Sequence, residues 1–97
     1  MRIISKKTLK IFWEKHKDCE QQLKAWHDEA MNTVWVSPKD IKVNYPSASL
    51  LRDNRVVFNI KGNTYRLIVK INYQYKMVWI RFIGTHAEYD KINADSI

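Results

Sequence analysis

Glycine, proline and cysteine are scarce in this chain of 97 residues, which holds two, two and one of them. So few breakers leave no material for flexible linkers, and a single domain over residues 1–97 is expected. The lone Cys19 rules out an internal disulfide, which fits a reducing compartment. Long apolar runs are missing too. No stretch approaches the roughly 18 residues of a membrane span. Met1–Lys7 lacks the apolar stretch of a secretory leader. A cytoplasmic location without a membrane partner is therefore expected. No Gly-rich phosphate loop is present, and the scattered histidines and single cysteine match no zinc spacing. No metal and no cofactor are expected. His16 and His27 stand eleven residues apart, about three helical turns, and read as surface or boundary residues.

Acidic residues are outnumbered, 10 against 17 bases, for a formal net charge of +7. Such an excess points to a polyanionic partner, most often nucleic acid. It is uneven: Arg55 to Lys91 carries seven bases and two acids, whereas the first 54 residues carry ten bases and seven acids. The functional field is expected on the C-terminal half. Hydrophobic content of 45% and aromatic content of 12% fit a folded globule rather than a disordered basic tail.

The apolar residues change period along the chain. Residues 2–4 read as a short strand. Ser5 is a candidate N-cap for a helix with Leu9, Phe12, Trp13 and His16 at helical spacing, and Asp18 for a second with Cys19, Leu23, Trp26, Ala30 and Met31 on one stripe. Ser37-Pro38 starts a short helix over 38–43, and Asn44–Ser49 reads as irregular loop. From Arg55 the period becomes two. Arg55–Ile60, Tyr65–Tyr73 and Lys76–Ile83 read as strands, joined by a hairpin loop at Lys61-Gly62-Asn63-Thr64 and a longer loop near Gln74-Tyr75. Pairing Ile60 with Tyr65 sets Phe58 against Leu67 and Val56 against Val69. Pairing Tyr73 with Lys76 sets Ile71 against Val78, Val69 against Ile80 and Leu67 against Phe82. One face is then continuously apolar and suits two covering helices. Thr85 and Glu88 have capping-box spacing, so a short helix should begin at His86. The fold class is α+β: a small antiparallel sheet, two N-terminal helices on one face and a short C-terminal helix.

The other face collects Arg55, Val57, Asn59, Arg66, Ile68, Lys70, Trp79 and Arg81. Arg55 opposite Lys70 sets like charges side by side, which weakens a sheet and suits an anion. Arg forks two phosphate oxygens, Lys adds a point charge, and His transfers protons near neutral pH. Arg66, Lys70, Arg81 and His86 are therefore candidates for metal-free phosphodiester cleavage using the 2′-hydroxyl of RNA. Trp79 and Tyr89 are candidates for base stacking, and Asp90 for a partner of His86 or an arginine. Lys61 extends the basic edge. A Ser47-His86-Asp90 triad lacks a nucleophile elbow and is discounted.

Three runs, Asn44-Tyr45-Pro46-Ser47-Ala48, Val56–Ile60 with Gly62-Asn63 and Tyr65-Arg66-Leu67, and Ile80-Arg81-Phe82-Ile83-Gly84-Thr85-His86-Ala87-Glu88-Tyr89-Asp90-Lys91-Ile92, resemble the HigB toxin family of the RelE-like superfamily. The resemblance extends over nearly the whole chain and is strongest from residue 44 to residue 92. It implies a RelE-like fold and a toxin of a type II toxin–antitoxin system. Such a toxin degrades messenger RNA, commonly on the translating ribosome. It also implies a HigA-like helix-turn-helix antitoxin through which the complex would bind DNA. By motif it assigns Arg66, Arg81, His86 and Tyr89 to the catalytic surface. Lys70 joins them by strand geometry. Arg55, Asn59, Lys61, Trp79 and Asp90 are then expected to bind RNA. A non-catalytic translation blocker and a gyrase-type, ParE-like toxin are the alternatives.

Overall fold

The computed structural model describes residues 1–97. Strand β1 (Arg2–Ile4) leads into helix α1 (Lys6–Lys15) and, after a single tight turn at Lys17–Cys19, helix α2 (Glu20–Asn32). Helix α3 (Pro38–Asn44) follows, with Pro38 in its first turn, where a missing N–H costs nothing. Then come β2 (Ser49–Leu50), β3 (Arg55–Ile60), β4 (Tyr65–Asn72), β5 (Met77–Thr85) and the one-turn helix α4 (His86–Tyr89). The sheet order is β1-β5-β4-β3-β2. Every pairing is antiparallel except that of β1 with β5. The expected all-antiparallel sheet is thus mixed. The long helical excursion between β1 and the hairpins supplies the crossover that a parallel pair needs. No helix is long and apolar enough to cross a membrane.

The amphipathic stripes fold as their spacing directs. Leu9 and Trp13 of α1, and Leu23, Trp26 and Ala30 of α2, are buried against Val56, Phe58, Ile60, Leu67, Val69, Ile71 and Val78 of the sheet. Met31 ends the stripe exposed. Phe58 is the centre of an aromatic cluster, with ring centroids 5.3 Å from Trp26, 6.1 Å from Trp35 and 5.0 Å from Tyr45. Removing a buried ring of this kind costs about 3–5 kcal/mol. The amino group of Met1 donates to the carbonyls of Ala30, Met31 and Thr33, placing a positive charge at the C-terminal end of α2.

The first hairpin has the expected register, Ile60 with Tyr65, Phe58 with Leu67 and Val56 with Val69. The second begins as expected, with Ile71 against Val78 and Val69 against Ile80. It then departs. A β-bulge sets Ile68 against Phe82 and Leu67 against Ile83, leaving Arg81 as the extra residue. The expected Leu67–Phe82 pair is therefore replaced. Val78, Ile80 and Phe82 share one parity in β5 while Trp79 and Ile83 share the other, so alternation alone does not fix which side faces the core.

Three other local expectations change. Asp18 does not cap α2. Its carboxylate accepts hydrogen bonds from the Tyr65 hydroxyl at 2.7 Å and the Lys61 ammonium at 2.9 Å. Those bonds hold it below the ordinary carboxylate range, and the same contact pushes the Tyr65 hydroxyl up to about 12. Ser49 leaves the expected loop to pair with Val57. His27 is not a boundary residue: it is a buried position of α2, only 5% exposed.

Burial of His27 disfavours the imidazolium and lowers its pKa from the ordinary 6.5, with nearby Lys6 acting in the same direction. The unfolded chain therefore binds a proton that the folded chain resists. Stability from this residue is fully present above pH 6.5 and is lost as pH falls below it. Thermal unfolding midpoints measured from pH 8 down to about pH 5 should fall for the native chain. A His27→Gln variant should show a flatter profile over that window, and an equal slope in both would remove His27 as the cause.

Candidate nucleic-acid interface

The face of the sheet turned away from α1 and α2 carries two groups of side chains. The first sits at the turn between β3 and β4. Arg66 donates from Nη2 to the Asn63 side-chain oxygen at 2.9 Å, and its guanidinium lies 5.2 Å from the centre of the Tyr89 ring. Arg66 pairs across the ladder with Gly84. The bulge produces this alignment and puts a residue without a side chain directly opposite Arg66.

His86 enters the group through local capping. The Thr85 hydroxyl accepts from the Glu88 N–H at 3.1 Å, and the Glu88 carboxylate accepts from the Thr85 N–H at 2.8 Å, closing the capping box expected from the sequence. The His86 N–H donates to the Thr64 carbonyl, fastening α4 to the turn. Its ring is 45% exposed, with Nδ1 at 3.3 Å from the Asn63 carbonyl oxygen and Nε2 at 3.4 Å from Asp90 Oδ1. Both ring nitrogens face oxygen acceptors, one on the turn and one on α4, and these contacts hold the plane of the ring. Arg66, His86, Tyr89 and Asp90 are thus brought together.

The second group lies further along the strands. Lys70 and Trp79 are direct cross-strand partners. With Arg81, Asn54, Asn72 and Gln74 they line an open depression of about 630 Å³. Arg66 and Lys70 stand four positions apart on β4, about 13 Å along a strand. Ile68 and Phe82 fill the interval as a cross-strand pair, and Arg81 stands beside them in the bulge. Arg66, Lys70 and Arg81 form no ion pair with an aspartate or glutamate, and Arg81 Nε donates to the Ile97 main-chain oxygen at 3.4 Å. Three bases with no Asp or Glu partner along one face create a field that favours an anion.

Three expected residues stand apart. Arg55 does lie opposite Lys70, but it is only 8% exposed. Its Nε donates to the Ile97 main-chain oxygen at 3.0 Å and its Nη1 lies 3.5 Å from Asp53, so the like-charge pair is relieved by burying one member against acceptors. Asn59 lies opposite Arg66 in the ladder, yet its amide donates to the Ser47 carbonyl and ties down the loop before β2. Lys61 is held by Asp18 on the helix side. Asn63, read from the sequence only as a turn residue, touches both Arg66 and His86. Its place in a hairpin loop three residues before an arginine was the available signal. No three His, Cys, Asp or Glu side chains converge to hold a metal ion.

A family model of the HigB toxins, described as the RelE-like toxic component of a toxin-antitoxin system, matches residues 19–92. The chain belongs to the HigB toxin family. It is 29% identical over 96 residues to the "mRNA interferase toxin HigB" of Escherichia coli K12, covering 97% of this chain and 92% of that protein. The "mRNA interferase HigB" of Shigella flexneri matches to the same extent, and that of Escherichia coli O6:H1 is 28% identical over 94 residues. The HigB family match spans the turn, the bulge and α4, the elements that assemble both groups.

The contact between Gly84 and Phe82 bears on both groups. A methyl group added at Gly84 meets the Phe82 ring at 2.6 Å, closer than packed carbons allow. Gly84→Ala should therefore force the ring aside and destabilise the fold by about 1–2 kcal/mol, or roughly 5–15 °C in thermal midpoint at this size. An unchanged midpoint would mean that the ring moves away freely.

Proposed function

We propose that the chain is an mRNA interferase, an endoribonuclease toxin that cleaves messenger RNA and is restrained by its antitoxin. The observation that carries this reading is the row of Arg66, Lys70 and Arg81, bases without Asp or Glu partners, ending at a half-exposed His86. The names of the relatives supply the substrate, and the face has the chemistry for it.

In the reaction, the RNA 2′-oxygen loses its proton to solvent water and attacks the adjacent phosphorus. The bond to the 5′-oxygen breaks, and that oxygen takes up a proton. The products carry a 2′,3′-cyclic phosphate and a 5′-hydroxyl. Arg66 and Arg81 hold the non-bridging oxygens as charge builds on them, and Lys70 adds a point charge. His86 is the proton-transfer group. Its half-exposed ring serves as the donor to the leaving oxygen. Trp79 and Tyr89 offer faces for base stacking, worth about 1–3 kcal/mol per base. Asp90 holds the ring of His86.

A single histidine with flanking bases makes a slow catalyst for free RNA. The translating ribosome supplies the missing positioning by presenting the substrate strand in a fixed path. The partner is a HigA-like helix-turn-helix antitoxin, which would carry the complex to DNA, and the toxin acts in the cytoplasm.

The test is controlled expression in bacterial cells with mapping of messenger RNA 5′ ends. Native protein should create new ends within translated frames. His86→Ala should slow cutting by about 10²–10⁴-fold, and Arg66→Ala and Arg81→Ala should also suppress it. Growth arrest without new ends would replace cleavage by a blocking mechanism, and DNA damage without RNA loss would point to a gyrase-type target. Binding to a non-cleavable RNA provides a second check. Three phosphate contacts should weaken affinity about 20-fold between 50 and 200 mM salt; a flat response would remove the electrostatic role of this face.

A further inference from the structure

The turn between β3 and β4 contains a polar residue to which neither the family match nor the charge pattern assigns a role. Lys61 and Gly62 take left-handed backbone angles, φ 52° and 62°, and Asn63 follows directly. Its side-chain oxygen accepts from Arg66 Nη2 at 2.9 Å, and its main-chain oxygen lies 3.3 Å from His86 Nδ1. One residue therefore contacts both a phosphate-binding candidate and the proton-transfer candidate, which come from different elements.

We propose that Asn63 is a positioning residue for cleavage, acting through Arg66; this rests on the nuclease reading above. The Tyr89 ring limits the guanidinium in one direction, and the Asn63 amide fixes it in another. Two such restraints leave the Nη1 donors directed to a ligand in one pose, and the ordering is complete before RNA arrives. The chemistry of the side chain matters. A neutral amide oxygen satisfies one N–H of Arg66 and leaves its charge for the phosphate. A carboxylate at the same place would hold the guanidinium as well but neutralise it. Asn63 thereby sets the direction of Arg66 without cancelling its field.

The experiment is single-turnover cleavage of a messenger RNA in a translating extract, comparing the native chain with Asn63→Ala, Asn63→Asp, Arg66→Ala and the double variant Asn63→Ala/Arg66→Ala. Asn63→Ala should lower the maximal rate about tenfold and leave the half-saturating concentration and the thermal midpoint nearly unchanged. Its pH profile should keep its shape, because the contact to His86 runs through the main chain. Asn63→Asp should recover rate and raise the half-saturating concentration. In the double variant the loss at position 63 should vanish, since its target is gone. Independent, multiplying losses would overturn the proposal, as would a lowered midpoint with full activity per folded molecule. If Arg66→Ala cleaves at the native rate, the reading of the face fails as well. If Arg66→Ala is impaired and Asn63→Ala is not, only the role of Asn63 fails.

Discussion

The extra residue at Arg81 in β5 determines what the outer face of the sheet carries. Had the ladder continued without a bulge, Phe82 would have entered the core and Ile83 would have stood opposite Arg66. The bulge shifts the pairing by one, so that Ile83 packs inward, Phe82 faces out beside Ile68, and Gly84 lies opposite Arg66. It also gives Arg81 a position outside the regular alternation, on the same side as Lys70 and Trp79. The place of Arg81 on that face and the space opposite Arg66 both follow from that single register change.

The two faces divide the physical work. The helix-covered face is held by Phe58 and the tryptophans around it, whose buried apolar area outweighs the indole N–H groups of Trp26 and Trp35 that find no acceptor. The opposite face is thereby free to carry charges that contribute nothing to folding. Where the charges would have opposed folding, the structure relieves them selectively. Arg55 is buried against the Ile97 oxygen and Asp53, while its cross-strand neighbour Lys70 is left without a carboxylate. Of the two like charges, one is absorbed by the fold and the other remains available to a ligand.

Much of this was legible in the sequence because period and capping act locally. The first hairpin register follows from matching apolar alternation in β3 and β4, and the Thr85–Glu88 box follows from spacing. What escaped depends on contacts between distant segments. β5 is apolar at both parities, so its phase is set by packing rather than by pattern. Asp18 has the right position for a helix cap but finds Lys61 and Tyr65 across the fold, a stronger set of partners than one backbone N–H. Burial of His27 and Arg55 likewise depends on what comes to lie over them. Asn63 is an ordinary turn residue by composition, and only the arrival of His86 from α4 gives it two partners.

The turn at Lys61–Thr64 is where the two faces meet mechanically. On the helix side the Asp18 carboxylate holds Lys61 and Tyr65, and the Gln22 side chain accepts from the Lys61 N–H. On the outer side Asn63 holds Arg66 and His86, and the Thr64 carbonyl takes the His86 N–H. Four of the five residues from Lys61 to Tyr65 are thus fastened, Lys61 and Tyr65 to the helix side and Asn63 and Thr64 to the basic face. A hairpin tip left free in water would fray on a fast timescale and carry its side chains through many poses. Anchored from behind, it presents Arg66 and His86 at a fixed separation. The precision of the outer face therefore derives from polar contacts on the inner one, and a substitution at Asp18, remote from any phosphate, acts on the same geometry as one at Asn63.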